Sequence, residues 1–262
     1  MKRTLIQPTL TDYPAPFHAL LTGAELYDSS CSPEARVVYI DKDGGYYLKR
    51  AAKGNLDTEA IMTRYFHTKG LGAAVLDYLS EGEYDYLLTE RMGGEDCTHA
   101  DVLAEPERLC DTIATQLRAL HELDAADCPI QDRTATYLAT VDRNFRTGCY
   151  DTTQFPDSWG FASAREAIDV VEKNRHLLRS DVLIHGDYCL PNIMLHGGKL
   201  SGFIDLGNAG VSDRHIDLFW GAWTLSFNLH TDRYRGRFFD AYGRDVIEPD
   251  MLRVVAACEV FG

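Results

Sequence analysis

The chain has 262 residues, of which 45% are hydrophobic and 25% are charged. These proportions are those of an ordinary globular protein, so they exclude a disordered or fibrous chain, and the length allows one large domain or two smaller lobes. Acidic residues outnumber basic residues by 40 to 26, which gives a formal net charge of −14. This balance argues against a nucleic-acid binder, since phosphate backbones are bound by Lys and Arg.

Residues 1–93 are predicted to be rich in β-structure. Strands are expected at 35–40, 46–49, 75–78 and 86–89, and a turn at 41–45 joins the first two strands into a hairpin. A helix is expected at 57–66, with Asp57 as a possible N-cap. Gly93 and Gly94 then end the β-rich pattern.

Residues 94–262 carry apolar side chains at helical spacing. Helices are predicted at 109–124, 164–178, 214–228, 232–242 and 249–260. We therefore predict an α+β protein with a β-rich N-terminal lobe at 1–93 and a mainly helical C-terminal lobe at 94–262, joined by a short hinge. The second lobe has 27 acidic and 16 basic residues. This excess favours a cationic ligand there, with a plain solvated acidic surface as the alternative.

The cysteines and the absence of long apolar runs indicate a cellular compartment. No run of 18 apolar residues and no secretory signal is found, so no membrane association is expected. The seven cysteines are scattered and never spaced as C-x-x-C. This pattern favours reduced thiols and argues against a zinc site, so we expect a cytoplasmic protein.

The segment 182–207 carries the strongest chemical signal. Gly197-Gly198 predicts a two-residue hairpin turn. If His196 faces Lys199 across that turn, Ile193 faces Gly202 and Asn192 faces Phe203. Asn192 and Asp205 then emerge together at the open end of the hairpin.

Oxygen-bearing side chains of this kind suit phosphoryl transfer. An amide oxygen from Asn192 beside the carboxylate of Asp205 suits Mg²⁺, which prefers oxygen ligands and keeps waters and phosphates in its shell. Asp187 lies five residues before Asn192 and is placed to accept a proton from an incoming hydroxyl. A kinase also needs a cation on the nucleotide phosphates, and Lys49 at the end of a strand is the candidate. Without the other motifs, Lys49 would be an ordinary edge-strand lysine.

The motif His185-Gly-Asp187-x-x-x-x-Asn192, followed by Ile204-Asp205-Leu-Gly207, resembles the aminoglycoside phosphotransferase family. Together with Asp213-Arg-His-Ile-Asp217 it is most similar to the aminoglycoside 3′-phosphotransferases. The resemblance implies a protein-kinase-like fold and antibiotic resistance by phosphorylation of a cationic aminoglycoside. ATP, with GTP as an alternative, and Mg²⁺ are the implied cofactors, and we expect a monomer or weak dimer.

The resemblance also implies roles for individual residues. Asp187 is the catalytic base, Asn192 and Asp205 hold the metal, and His185 and Asp217 orient the catalytic loop. The nucleotide side comprises Lys49 with its partner Glu59, a serine loop and a hinge. The serine loop contains Ser29, Ser30 and Ser32, and the hinge contains Glu90 and Met92. The acceptor side comprises Asp157, Glu259 and Phe261. Without the resemblance, each of these features has a simpler interpretation. Glu59 would be a solvated helix residue, the serine cluster would form a turn, and Asp217 would be a surface helix cap.

The acceptor side departs from the family pattern. Asn208 stands where the family usually has Arg, and Trp220, Trp223 and Phe227 stand on a helix that usually carries acidic residues. Core packing is the favoured interpretation of these aromatic residues, and a reshaped acceptor pocket is the alternative. A kinase for another alcohol and a pseudokinase that only binds remain as rival functions.

Overall fold

A computed structural model of the chain describes residues 3–155 and 159–262. The chain forms two compact units. The first comprises the residues up to His99 together with Pro191–Gly207, and the second comprises Ala100–Leu190 and Asn208–Gly262. This grouping differs from the single division expected at Gly93-Gly94, because the hairpin after Pro191 pairs with Glu95–Asp96.

The elements of the described residues follow the chain in this order. The strands are β1 (Thr4–Ile6), β2 (Glu25–Asp28), β3 (Ala35–Asp41), β4 (Tyr46–Ala52), β5 (Val75–Glu81), β6 (Tyr84–Glu90), β7 (Glu95–Asp96), β8 (Val182–Ile184), β9 (Ile193–His196), β10 (Lys199–Phe203) and β11 (Gly210–Ser212). The α-helices are α1 (His18–Leu21), α2 (Asp57–Thr68), α3 (Ala100–Leu103), α4 (Pro106–His121), α5 (Arg133–Thr147), α6 (Ala164–Asn174), α7 (Arg214–Leu229), α8 (Arg235–Tyr242) and α9 (Pro249–Glu259). The predicted α+β class, with a β-rich N-terminal region and a helical C-terminal region, is confirmed.

The main sheet of the first unit is antiparallel, in the order β1-β2-β3-β4-β6-β5. Successive side chains of β4 point to opposite faces, so Leu48 enters the core formed with Val38 and Leu88. Lys49 takes the other face, where Ala51 packs with residues of α2. The alternation of the strand thus directs Lys49 toward the helix.

Helix α2 begins at Asp57, as predicted, but Asp57 is not its cap. The N-cap position is Leu56. The carboxylate of Asp85 on β6 accepts the N–H groups of Gly54 at 2.7 Å and Leu56 at 3.2 Å. A residue remote in sequence therefore satisfies backbone donors at the start of the helix, which local patterns do not indicate.

The β9–β10 hairpin has a bulge that the sequence did not predict. Lys199 faces His196 as expected, but the register then shifts so that Gly202 faces Met194 and Phe203 faces Ile193. The predicted pairing of Gly202 with Ile193 is wrong by one residue. Gly202 has φ +154°, and a Cβ there would lie 2.7 Å from the carbonyl oxygen of Leu71. The bulge adapts β10 to this close backbone approach.

In the second unit, the predicted helices are present with shifted ends, and α5 is an additional helix. The helix predicted to reach residue 178 ends at Asn174, where the chain tightens into the 3-10 turn Arg175–Leu177. Helix α5 was not predicted, although Leu138, Val141 and Phe145 recur at the spacing of one helix face. Across residues 3–155 and 159–262, no helix combines the length and apolar character that a membrane crossing requires.

Candidate active site

In the first unit, the ammonium of Lys49 lies between two carboxylates. Its Nζ atom is 2.7 Å from Oε2 of Glu59 and 2.7 Å from Oδ1 of Asp205. The Lys49 and Glu59 side chains are only 18% and 9% exposed, while that of Asp205 is 51% exposed. Lys49 and Glu59 are therefore largely shielded from solvent, whereas the Asp205 carboxylate is accessible to a ligand.

The charges of this triad are strongly coupled. Burial opposes the charge of Lys49, but Glu59 and Asp205 outweigh it and raise the pKa of Lys49 to about 12. Burial raises the pKa of Glu59 above its ordinary value, and Lys49 opposes this effect. Lys49 is therefore a permanent cation at neutral pH, as a group that binds phosphates must be.

Each member of the triad has its own support. Lys49 is on β4 and Glu59 is in the first turn of α2. Asp205 follows β10 with φ +60°, a left-handed conformation that is uncommon outside glycine. Such conformations concentrate at functional sites, where the surrounding structure compensates for the strain.

Asn192 lies at the open end of the same hairpin as Asp205. Its carbonyl accepts the N–H of Ile204 at 3.0 Å, so Asn192 is opposite the residue that precedes Asp205. No group of three or more His, Cys, Asp or Glu residues that could hold a metal is found in residues 3–155 and 159–262. Asn192 and Asp205 instead offer two oxygen donors, a set that suits Mg²⁺ when water and phosphate supply its other ligands.

The serine loop connects β2 and β3 and is closed by its own hydrogen bonds. The carboxylate of Asp28 accepts the N–H of Ser30 at 2.9 Å, and the Ser30 hydroxyl accepts the N–H of Val37 at 2.9 Å. Ser29 is buried, whereas Ser30 and Ser32 are exposed. The loop is thus a preformed turn that exposes two of the three predicted serines.

The hinge predicted at Glu90 and Met92 begins at the last residue of β6. The N–H of Glu90 donates to the Ala74 carbonyl at 3.0 Å, and the N–H of Arg91 donates to the Gly45 carbonyl at 2.9 Å. Both donors are engaged within the first unit. An adenine could therefore use the Glu90 carbonyl or the Met92 backbone, but not the N–H groups of residues 90 and 91.

In the second unit, Asp217 holds the loop that carries Asp187. Its Oδ2 accepts the N–H of His185 at 2.7 Å, and its Oδ1 accepts the N–H of Gly186 at 2.8 Å. Asp217 is fully buried on α7, so it is not a surface helix cap; Asp213 caps the helix by accepting the N–H of His215. His185 is also buried, and its Nδ1 accepts the N–H of Asp187 at 3.2 Å.

Asp187 is half-buried beside two other titratable groups. The Cys189 thiol interacts with Asp187 and with the hydroxyl of Thr224, and burial together with the Asp187 charge raises its pKa well above the ordinary value. Glu259 is buried, and burial together with the nearby Asp187 raises its pKa to about 7, against hydrogen bonds from Tyr137 and Trp220. The Tyr137 hydroxyl donates to Oε1 of Glu259 at 2.7 Å.

The other residues predicted for the acceptor do not join this group. Phe261 is 1% exposed, its ring packs against Phe145 and Tyr150, and its carbonyl accepts the side-chain N–H of Asn144 at 2.6 Å. The Phe261 ring therefore packs the core instead of facing a ligand. Asp157 lies outside the described residues.

The aromatic cluster on α7 extends from the core to the surface. Phe219 is fully buried, Trp220 and Trp223 are half-buried, and Phe227 is 61% exposed. Trp223 and Phe227 are stacked, with ring centroids 4.9 Å apart. The favoured interpretation of Trp220, Trp223 and Phe227 as core packing therefore fails for Phe227, and the two half-buried tryptophans lie between the core and the surface.

Sequence reasoning missed Tyr137 and His121 as parts of this region. Tyr137 lies on α5, whose apolar residues recur at helical spacing, so this periodicity was the available signal for the helix. The sequence assigned no role to His121, yet its buried ring hydrogen-bonds Asp217. Its place at the end of an apolar stripe on α4 was the available signal.

The β-rich unit with its lysine–glutamate pair and the helical unit with its braced loop define a protein-kinase-like phosphotransferase. The chain belongs to the phosphotransferase enzyme family, whose sequence model matches residues 32–255. It is 51% identical to a probable aminoglycoside 3′-phosphotransferase of Lactococcus lactis subsp. lactis (strain IL1403). The 250 aligned residues cover 95% of each of the two chains. The predicted family resemblance is confirmed.

Solved structures share the fold. The crystal structure of an aminoglycoside 3′-phosphotransferase of type VIII superposes with a TM-score of 0.78 over 96% of each chain, at 22% identity. An aminoglycoside phosphotransferase from Streptomyces rimosus ATCC10970, in complex with ADP and streptomycin, superposes with a TM-score of 0.70 at 20% identity, over 86% of this chain and 90% of that one. These similarities establish the protein-kinase-like fold.

Proposed function

We propose that the protein transfers the γ-phosphoryl group of ATP to a hydroxyl group of an aminoglycoside antibiotic, and so confers resistance in the cytoplasm. The observation that carries the phosphoryl chemistry is the Lys49 ammonium held between Glu59 and Asp205. The choice of acceptor is supported by the 51% identity to a probable aminoglycoside 3′-phosphotransferase over 95% of the chain.

The first unit supplies the nucleotide side. Lys49 binds the phosphates, and Glu59 holds Lys49 in place from its buried position on α2. Asn192 and Asp205 would hold Mg²⁺, which neutralises charge on the β- and γ-phosphates. The Met92 backbone at the hinge would bind adenine, and the preformed serine loop would contact the phosphates through Ser30 and Ser32.

The second unit supplies the acceptor side and the base. Asp187 accepts the proton of the acceptor hydroxyl as the hydroxyl oxygen forms its bond to the γ-phosphorus. The bond from that phosphorus to the β–γ bridging oxygen breaks, and ADP leaves with the electron pair. The transition state is loose, so positioning by Asp217 and His185 and neutralisation of charge supply most of the acceleration.

The charge of the second lobe suits a polycation. Residues 94–262 have 27 acidic and 16 basic side chains, and fields of one sign concentrate ligands of the other. Asp187 and Glu259 are two acidic groups of this unit that interact electrostatically. Glu259 is buried behind its hydrogen bond to Tyr137, so we propose that it shapes the acceptor pocket from behind.

A panel of aminoglycosides tests this function. ADP release is measured with Mg²⁺-ATP in the presence and absence of each compound, and the 3′-hydroxyl is tested by comparing kanamycin with a matched 3′-deoxy aminoglycoside. We expect turnover that depends on the acceptor and is lost with the 3′-deoxy compound. ADP release that no aminoglycoside stimulates would contradict the acceptor assignment. The Asp187→Ala variant, measured in parallel, identifies turnover from contaminating kinases.

A further inference from the structure

A buried chain of side chains continues from Asp217 into the core of the second unit. Nε2 of His121 lies 3.2 Å from Oδ2 of Asp217, and Nδ1 of His121 lies 2.8 Å from the hydroxyl of Tyr242. His121 is at the end of α4 and Tyr242 is at the end of α8. All three residues are nearly inaccessible to solvent.

The chemistry of these groups determines which atom donates and which accepts in each of these hydrogen bonds. Both oxygens of Asp217 accept backbone N–H groups, so His121 contributes to Oδ2 as a donor through Nε2–H. Burial lowers the pKa of His121, despite the opposing effect of Asp217, and so favours the neutral ring with Nδ1 as an acceptor. The Tyr242 hydroxyl then donates to Nδ1.

The Tyr242 phenol keeps its proton at neutral pH. Burial raises the pKa of Tyr242 to about 12, against the positive charges of Arg214 and Arg118. The phenol can therefore donate its proton to Nδ1 of His121. Each donor and acceptor from Tyr242 to Asp217 is then matched in one arrangement, which also fixes the tautomer of His121.

The hydrogen bonds from Tyr242 and His121 reach the catalytic loop through Asp217. The carboxylate of Asp217 holds the N–H groups of His185 and Gly186, and His185 in turn accepts the N–H of Asp187. We propose that His121 and Tyr242 are positioning residues for phosphoryl transfer, because they fix the Asp217 carboxylate that holds the loop of Asp187. This proposal rests on the proposed function for the role of Asp187.

Kinetics separate positioning from general stabilisation. In His121→Leu, which removes the donor to Asp217, we expect kcat to fall about 20-fold, and in Tyr242→Phe about 5-fold, with both KM values within about twofold of wild type. His121→Gln, whose side-chain amide is able to donate to Asp217, should recover most of kcat. Tyr234→Phe is the matched control, since this buried tyrosine pairs with Arg233 instead.

A double-mutant cycle tests whether the two residues act in series. In the His121→Leu background, Tyr242→Phe should add less than about twofold to the loss of kcat, because Tyr242 acts through His121. All assays are run well below the melting temperature of each variant, as determined by circular dichroism. Unchanged kcat in folded His121→Leu, or fully additive losses, would overturn the proposal.

Amide hydrogen exchange gives a result that does not depend on the acceptor. If the hydrogen bonds from Tyr242 through His121 to Asp217 hold the catalytic loop, His121→Leu should speed exchange at His185 and Gly186 by at least about tenfold. Tyr234→Phe should leave this exchange unchanged. Unchanged exchange at these two amides would overturn the proposal. Faster exchange in an enzyme that phosphorylates no aminoglycoside would instead reject the proposed acceptor and leave the positioning role intact.

Discussion

The Nζ atom of Lys49 lies 2.7 Å from Oδ1 of Asp205, although the two residues are 156 positions apart in the chain. The contact joins a central strand of the sheet to the end of the β9–β10 hairpin. It shows that the exposed carboxylate proposed to hold Mg²⁺ already pairs with a cation in this structure. Because the same ammonium also pairs with Glu59, Lys49 retains a buried partner if Asp205 turns to a metal.

Replacing Asp205 with Ala should abolish nucleotide binding that depends on Mg²⁺. The variant removes one of two proposed oxygen ligands, so the affinity for ATP should fall by at least about 100-fold with Mg²⁺ present and change little in EDTA. Isothermal titration calorimetry in both buffers measures this difference. Asp77→Asn, an exposed aspartate on β5 of the same unit, is the matched control. An unchanged effect of Mg²⁺ in Asp205→Ala would remove this residue from the metal site.

Glu59→Gln should impair the enzyme less than Lys49→Met. Glutamine keeps the size of the side chain but leaves Lys49 with Asp205 as its charged partner, so we expect kcat/KM for ATP to fall about 10-fold in Glu59→Gln and at least about 100-fold in Lys49→Met. Steady-state kinetics with ATP as the varied substrate measures both. Equal losses in the two variants would indicate that Glu59 contributes chemistry of its own.

Much of this site could be predicted from sequence because its motifs are local. The spacing of Asp187, Asn192 and Asp205 and the turn at Gly197-Gly198 place two oxygens at one hairpin end whatever the remaining fold. The bulge at Gly202 could not be predicted, because its cause is the backbone of Leu71, which is remote in sequence.

The acceptor side was harder to predict for a related reason. The acceptor role of Glu259 stays a prediction, and its hydrogen bond to Tyr137 on α5 could not be read from either segment alone. Phe261 was expected on the acceptor side because of the family resemblance, yet two aromatic rings pack against it. Burial by residues from other helices is a tertiary property that the pattern of one segment does not contain.

Replacing Asp187 with Ala should reduce turnover without weakening nucleotide binding. A positioned base contributes about 10²- to 10⁴-fold, so kcat should fall by several orders of magnitude. Asp187 is not among the residues proposed to bind the nucleotide or Mg²⁺, so the Kd for ATP should change less than about twofold. Single-turnover kinetics and calorimetry measure the two quantities. Near-wild-type turnover would exclude Asp187 as the base.

Replacing Gly186 with Ala should disrupt the catalytic loop. Gly186 has φ +83°, and a Cβ there would lie 2.1 Å from the carbonyl oxygen of Asn208, so backbone atoms would have to move. We expect a loss of about 2 kcal/mol or more in the free energy of unfolding, from chemical denaturation. Gly236→Ala is the matched control, because its Cβ would meet only the end of the Arg244 side chain at 3.6 Å. A Gly186→Ala variant as stable as this control would contradict the geometry of the loop.

The buried carboxyl of Glu259 should make the protein less stable as the pH rises. Burial and the Asp187 charge raise its pKa in the folded state to about 7, against an ordinary value of 4.5. Between these values the unfolded chain has lost the proton that the folded chain still holds, so stability falls with rising pH and levels off above pH 7. The ionisation of Glu259 should lower the free energy of unfolding by about 2 kcal/mol between pH 5.5 and pH 8.

Glu259→Gln removes the titration and allows the Tyr137 hydrogen bond to remain. Urea unfolding at several pH values should therefore show a shallower decline in stability for this variant than for wild type. Glu172→Gln, at an exposed position on α6, should follow the wild-type curve. Parallel curves for wild type and Glu259→Gln would mean that Glu259 ionises in the folded protein as readily as in the unfolded chain. Its burial behind Tyr137 would then provide no electrostatic link to Asp187.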